Sequence, residues 1–457
     1  MQKNIAATII LLLAIKLIIS ISSPFPISPD EYQRESAART LIDSKFYPET
    51  ESYVAPSGAP LVYPPLPDFL LAVLSFSGFE LRLLMQIVSF TLFFAFLLLF
   101  YLFTKNLSEK QQILSMIFLA LTPIILKRFT SFVNEIFGLT LLLLLIYLIL
   151  SKKNFFLISL AISAAFLAHF RSFTVISLIL IIYLIHLFLG KKSKDFRNLL
   201  KSFLVSGILL LPFILFNFSK YFSAQPVVNP WINFSFYSIH EFFGVIQTFF
   251  FILTLYFILF RKEKFDLEKD FFKLNLILFF TALILFLGTL LPFPAINQPY
   301  RYIVFLLIPL SVFTAVLIDS IAKLRKNNFL FYLILILLVF SVSLPVQAFD
   351  EKDFKANEFI EANFDSKTII AEHNAFPLLL KGFKLVIAPL MERVPNATER
   401  MFQSIEFLEG KRGLEFSSQF NVECIISRNE NKLSRDVALN SDKLYQNSKN
   451  SFYCLKI

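Results

Sequence analysis

Apolar runs of roughly bilayer-spanning length recur from residue 5 to residue 346. A helix needs about 20 apolar residues to cross the hydrocarbon core, and every backbone N–H and C=O inside that core must be paired within the chain. Runs of this kind predict a helical bundle. They fall at 5–21, 81–103, 111–127, 132–150, 154–170, 171–189, 200–218, 241–260, 272–291, 301–318 and 328–346. Composition points the same way, with 56% apolar and 17% charged residues, where soluble domains carry about 45–50% and about 25%. These figures exclude an ordinary soluble fold, a disordered chain and, with 10 Gly and 2 Cys, collagen-like and disulfide-scaffold chains. The first run could pass for a secretory signal. No clear small-residue cleavage site follows it; instead come Pro24, Pro26, Pro29 and an acidic stretch, which reads as an uncleaved first helix.

Loop charge sets the expected sidedness, because Lys and Arg collect in cytoplasmic loops. Segment 190–201 holds Lys191, Lys192, Lys194, Arg197 and Lys201; segment 261–273 holds Arg261, Lys262, Lys264, Lys269 and Lys273; segment 319–328 holds Lys323, Arg325 and Lys326. The alternate loops 219–240 and 292–300 are nearly free of Lys and Arg. Counting back places the N-terminus inside and the acidic loop 23–61 outside. Segment 62–78, with Pro64, Pro65, Pro67 and Asp68, then reads as a juxtamembrane or re-entrant helix in the outer leaflet. The expectation is a polytopic α-helical membrane protein of about 11 transmembrane helices in the cytoplasmic membrane, with 12 as the alternative. The net charge of +10 is then a property of inner loops and points to no nucleic acid partner.

Composition shifts after Pro345, so residues 1–346 form a transmembrane domain with an outer loop at 23–80, and residues 347–457 a small extracytoplasmic α/β domain. Strands are expected at 367–372, 385–389, 422–427 and 452–457, and helices near 351–363, 374–381 and 397–409. Cys424 and Cys454 sit on two of these strands. An oxidising exterior permits a disulfide, and two buried thiols are the alternative. Asn396-Ala397-Thr398 is a glycosylation sequon of a kind that also arises by chance.

Ionisable groups at membrane edges are costly enough to call for a function. Several are predicted on the outer side: Asp30 and Glu31 directly after the first helix, Arg34 and Arg39 on the same helix, Arg128 and Glu135 around an outer turn, His169 and Arg171 at the next, and Arg301 opening a late span. Each has a plainer explanation. The acidic pair suits a helix N-terminus, and the arginines suit interface anchoring. Together they match transfer from a lipid phosphate, in which a carboxylate deprotonates the incoming nucleophile and guanidinium groups hold the departing phosphate. There is no Gly-rich phosphate loop, so an enzyme of this kind would take a substrate already activated.

The order of these motifs resembles the GT-C glycosyltransferases, and within them the branch of protein O-mannosyltransferases, aminoarabinose transferases and lipopolysaccharide-core galacturonosyltransferase-like proteins. The residues that carry it are Asp30-Glu31-Tyr32, Tyr63-Pro64-Pro65-Leu66 where the families have His-Pro-Pro-Leu, Phe79 to Leu83, Glu135, Arg171, and Arg301-Tyr302 followed by Pro309. Tyr63 for His, and Asn134 before Glu135, depart from the pattern. The resemblance implies a polyprenyl- or dolichyl-phosphate sugar donor, a glycan, lipid or protein acceptor, and inversion with Asp30 as general base. Glu31 would assist. Glu135 would orient the acceptor or, with Asp30, hold a divalent cation. Arg171, Arg301 and Arg128 would contact phosphate, with Tyr63, Arg34, His169 and Tyr302 lining the pocket. Trp231 in loop 219–240 reads as an interfacial anchor. A transporter or flippase of lipid-linked envelope precursors is the other class. It would carry repeats and mid-membrane breaks, and its polar groups would continue to the inner leaflet.

Overall fold

The computed structural model describes residues 3–22, 29–44, 50–51, 59–60, 65–223, 245–260, 270–288, 300–324, 351–364, 367–371, 384–385, 397–429 and 433–456. In chain order the helices are α1 (Lys3–Ser22), α2 (Pro29–Ser44), α3 (Leu66–Ser75), α4 (Leu81–Phe103), α5 (Glu109–Ala120), α6 (Pro123–Thr130), α7 (Asn134–Leu150), α8 (Phe155–Ala168), α9 (Phe170–Leu189), α10 (Ser193–Ser223), α11 (Val245–Phe260), α12 (Asp270–Gly288) and α13 (Tyr300–Leu324). A two-residue hairpin pair, β1 (Thr50–Glu51) and β2 (Ala59–Pro60), lies between α2 and α3. The remainder comprises α14 (Glu351–Asn363), β3 (Thr368–Ile370), β4 (Lys384–Leu385), α15 (Ala397–Leu408), α16 (Leu414–Gln419), β5 (Cys424–Arg428), α17 (Arg435–Leu439), β6 (Ser441–Gln446) and β7 (Asn450–Leu455). The chain forms two compact units, one of residues 1–22, 85–214 and 232–345, the other of residues 23–84, 215–231 and 346–457.

The first unit is a bundle centred on α13, whose apolar stretch is 94% buried and which packs against α5, α11 and α12. Helices stand at each expected span up to residue 318; the run 328–346 lies outside the described residues. Among the described residues α1, α4, α9, α10 and α13 are long and apolar enough to cross a membrane, and the bent pair α5–α6 would add a sixth. The expectation of about 11 crossings also counts the shorter apolar helices, among them α7 and α8. Polar side chains tie the bundle together where apolar packing has no direction. Thr254 and Thr314 share a hydrogen bond of 2.8 Å between α11 and α13, and Gln111 donates to Asp319 at 2.9 Å between α5 and α13.

One expected span is broken. Residues 111–127 read as a straight helix, yet α5 and α6 meet at 66°. Pro123 lacks an N–H and drives the preceding residue out of the helical region, and Thr122 is accordingly extended at φ −63°, ψ 126°. The break frees backbone carbonyls in buried surroundings. The Thr122 hydroxyl donates to the Phe118 carbonyl at 2.6 Å, and the Gln247 amide of α11 donates to the Leu121 carbonyl at 3.4 Å. This is how a helix break survives in a membrane bundle.

In the second unit the tail forms a five-stranded sheet of order β4-β3-β5-β7-β6, parallel from β4 to β5 and antiparallel beyond. Ile370, Phe407, Phe416, Ile425 and Val437 form its core. Asp353 on α14 holds β7 by accepting from Asn450 at 2.9 Å and pairing with Lys449 at 2.6 Å. The α/β expectation stands. The polar edge strand β6 and the short helices α16 and α17 were not anticipated; Ser441–Gln446 has no apolar alternation and joins the sheet by backbone pairing to β7. The expected helix 374–381 and Asn396 of the sequon lie outside the described residues.

Cys424 and Cys454 face each other across β5 and β7 and form a disulfide, which settles the alternative left open above. It closes a loop of 30 residues, so a chain-entropy account gives a contribution of about 3–4 kcal/mol. The double variant Cys424→Ala/Cys454→Ala should therefore unfold its tail at lower denaturant by that amount, as read by pulse proteolysis of the full chain. Unchanged proteolysis would mean that the sheet does not depend on the bond.

Candidate active site

The helix that carries Asp30 is held by charges. From Arg34 to Ala38 every residue of α2 is buried, which a sequence this polar tolerates only if its ions are paired inside. Arg34 Nη1 lies 2.7 Å from Asp68 Oδ2 on α3, with side-chain exposures of 3% and 6%. Glu35 takes two guanidinium groups, Arg39 at 2.8 Å one turn on and Arg82 at 3.1 Å from the first turn of α4. The Arg82 guanidinium also sits 5.4 Å from the centroid of the Tyr32 ring, within cation–π range. Burial pushes the Tyr32 phenol well above its ordinary value, against the opposing pull of Arg82, so Tyr32 stays protonated. These contacts fix α2 against α3 and the start of α4. Asp30 is the second residue of α2 and Glu31, half-buried, the third. Pro29 at the first position and the acids behind it also suit a helix start.

In the first unit, Arg128 and Glu135 stand on either side of the α6–α7 turn and form an ion pair. Nε and Oε2 lie 2.7 Å apart, at 15% and 6% exposure, off the N–H direction of an aligned hydrogen bond. Arg128 ends α6, where a cation complements the helix dipole, and Glu135 begins α7, where an anion does. The connection itself is unusual. Ser131 to Glu135 are all buried, whereas connecting segments normally run on the surface. The hydroxyl of Ser131 and both polar atoms of the Asn134 amide have no hydrogen-bond partner among the described residues.

Helices α8 and α9 are joined by His169 alone, extended at φ −161°, ψ 112°. Its Nδ1 accepts from the Ser172 N–H at 3.3 Å and lies 2.7 Å from the Ser172 hydroxyl, so it caps α9 much as an Asn would. Gly138 on α7 sits against this cap; a Cβ there would overlap the Ser172 side chain. Arg171, in the first turn of α9, is half-buried. Tyr302 is buried at 7% exposure in the first turn of α13, and Arg301 precedes it in the same helix. Tyr63 and Trp231 lie outside the described residues.

Sequence reasoning passed over several ionic groups. Glu35 had a local signal, its four-residue spacing to Arg39. Asp68 and Arg82 were noticed only as a charge on a short helix and as part of a motif, and neither has a local pattern naming its partner. Lys16 stands inside the first apolar run and is 2% exposed, with Nζ 3.4 Å from the Ser20 hydroxyl and 5.4 Å from the centroid of the Phe90 ring on α4. Beside Phe90, the Ser89 hydroxyl donates to the Phe129 carbonyl next to Arg128, so Lys16 belongs to the same packed region. Among the described residues no group of three or more His, Cys, Asp or Glu could hold a metal ion, and Glu135 is engaged by Arg128. No step below uses a metal cation.

Solved structures share this fold. ArnT from Cupriavidus metallidurans in the apo state aligns over 98% of both chains with a TM-score of 0.62 at 12% identity. ArnT from the same organism bound to undecaprenyl phosphate aligns over 97% of both chains at 0.59 and 12%. The Archaeoglobus fulgidus oligosaccharyltransferase in complex with Zn and sulfate aligns over 91% of this chain and 68% of its own, at 0.61 and 12%. The chain has the GT-C fold. No protein-family model matches it, and no curated protein does. It is a polytopic helical membrane protein of that fold with a small sheet-containing domain, and α2 directly follows α1 in the chain.

The Arg34–Asp68 pair yields a stability test. Removing one partner of a buried pair costs about 3–5 kcal/mol, while replacing both by apolar residues is often neutral. Asp68→Ala should destabilise the purified protein by that order, and Arg34→Met/Asp68→Leu should recover most of the loss in denaturant unfolding. A single variant no worse than the double would remove the pair as an anchor of α2.

Proposed function

We propose that the chain is an integral-membrane glycosyltransferase that moves a sugar from a polyprenyl- or dolichyl-phosphate donor to an acceptor at the outer face of the cytoplasmic membrane. The observation that carries this reading is the alignment over 97% of both chains with ArnT bound to undecaprenyl phosphate. The acidic pair at the start of α2 and the arginines at the starts of α9 and α13 supply matching chemistry.

In this mechanism Asp30 takes the proton of the acceptor hydroxyl. The freed oxygen attacks the anomeric carbon, the carbon–oxygen bond to the lipid phosphate breaks, and the configuration inverts. Arg171 and Arg301 hold the charge that develops on the departing phosphate, an interaction stronger in the transition state than before it. Glu31 supports the base, and Glu135, itself steadied by Arg128, orients the acceptor. His169, Tyr302 and Tyr63 line the pocket. Arg34 holds α2 through Asp68 and so keeps the base in place. The domain after residue 346 lies on the same outer side as the acceptor.

The test is sugar transfer in membranes with labelled polyprenyl-phosphate monosaccharides. A positioned general base is worth about 10²–10⁴-fold, so Asp30→Asn should lower kcat by that factor with little change in donor KM. Equal transfer by the variant and the parent would remove Asp30 from this role.

A further inference from the structure

We propose that Ser131 and Asn134, on the α6–α7 turn, form the subsite that reads the hydroxyl groups of the sugar on the donor lipid. The inference rests on the glycosyltransferase reading and deepens it. Its basis is a local imbalance. Three polar atoms within four residues, Ser131 Oγ, Asn134 Oδ1 and Asn134 Nδ2, are buried and make no hydrogen bond among the described residues. Ser131 is 1% exposed and Asn134 5%. Native proteins leave few such groups, and each one asks for an explanation.

Helix capping does not account for these atoms. Asn most often serves a helix by capping it, but Val133 is the N-cap of α7 and Asn134 lies one residue inside, with its amide unused. Ser131 closes α6 through its backbone N–H to the Lys127 carbonyl, and its hydroxyl takes no part. Both side chains are thus held by secondary structure without being consumed by it.

The chemistry of the orphan atoms selects the ligand. A phosphate offers only acceptors and calls for cations. Here the groups are neutral, and together they offer donors and acceptors. A sugar ring presents vicinal hydroxyls that both donate and accept, and it matches this set. The neighbouring Arg128–Glu135 pair adds charge on either side of the turn. A site built to bond hydroxyls rejects a ligand that lacks them, because its own buried groups are then left unpaired. The subsite therefore distinguishes a sugar-bearing polyprenyl phosphate from the bare lipid phosphate that remains after transfer.

A structural role and a ligand role make opposite predictions for Asn134→Leu. Exchanging an orphan amide for an apolar side chain of similar size is neutral or stabilising when no ligand is involved. The experiment measures thermal unfolding of the purified full-length protein alone, with undecaprenyl phosphate, and with undecaprenyl phosphate bearing glucose, mannose, galactose, galacturonate or aminoarabinose. The parent should melt higher with at least one sugar-bearing lipid than with bare undecaprenyl phosphate. Asn134→Leu should melt at or above the parent when alone and show the same shift with both kinds of lipid. In the transfer assay its kcat/KM for the preferred donor should fall about 10²-fold. Ser131→Ala, a smaller change, should lose part of the sugar-specific increment and carries the same comparison should the Leu variant fail to fold. A variant that keeps the full increment, or a parent with no increment for any of the sugars, overturns the subsite. A parent that neither kind of lipid stabilises overturns the glycosyltransferase reading itself.

Discussion

Buried polar groups in a bundle of this kind have no water to fall back on, and that constraint organises the structure. Where the backbone breaks at Thr122-Pro123, a hydroxyl and an amide take up the freed carbonyls. Where α5, α11 and α13 meet, Gln111, Thr254, Thr314 and Asp319 pair among themselves. Van der Waals contacts between apolar helices are similar in many registers. A hydrogen bond between two named side chains exists in only one, and this selects the packing.

The same constraint acts on α2 in charged form. A helix with Arg34 and Glu35 on buried positions would be expelled to solvent unless partners waited on its neighbours, and Asp68 and Arg82 supply them, with Arg39 adding a pair from within α2. Such pairs add little net stability against an apolar replacement. They do give direction: the helix can enter in one rotation only. The Ser131 hydroxyl and the Asn134 amide on the α6–α7 turn are the exception that this logic exposes, buried and without a hydrogen-bond partner among the described residues.

Much of the helical layout was legible because length and apolarity decide it. The spans from 5 to 318 all became helices, and the tail was read as α/β from its short apolar runs. The bend before Pro123 was written in the residues, but a continuous apolar run outweighed it. Partnerships such as Arg34 with Asp68, separated by 34 residues, leave no periodic trace. Arg128 with Glu135 could be anticipated because one short turn joins them. Edge strand β6 escaped because its pairing is a property of β7. The unsatisfied state of Ser131 and Asn134 is a fact of three-dimensional burial that no one-dimensional pattern encodes.

Gly138 carries a further consequence. It lies one turn beyond Glu135 on α7 and meets Ser172, the residue after Arg171, on α9. The missing methyl group lets the two helices approach, so it also sets the lateral separation between an acid-bearing rod and a cation-bearing one. Opposite charges in a medium of low polarisability feel each other over long range, and a shift of one methyl radius alters that field without touching either ion. The spacing of these two helices is thus set by an uncharged residue with no side chain, and any larger residue at that position would have to displace Ser172.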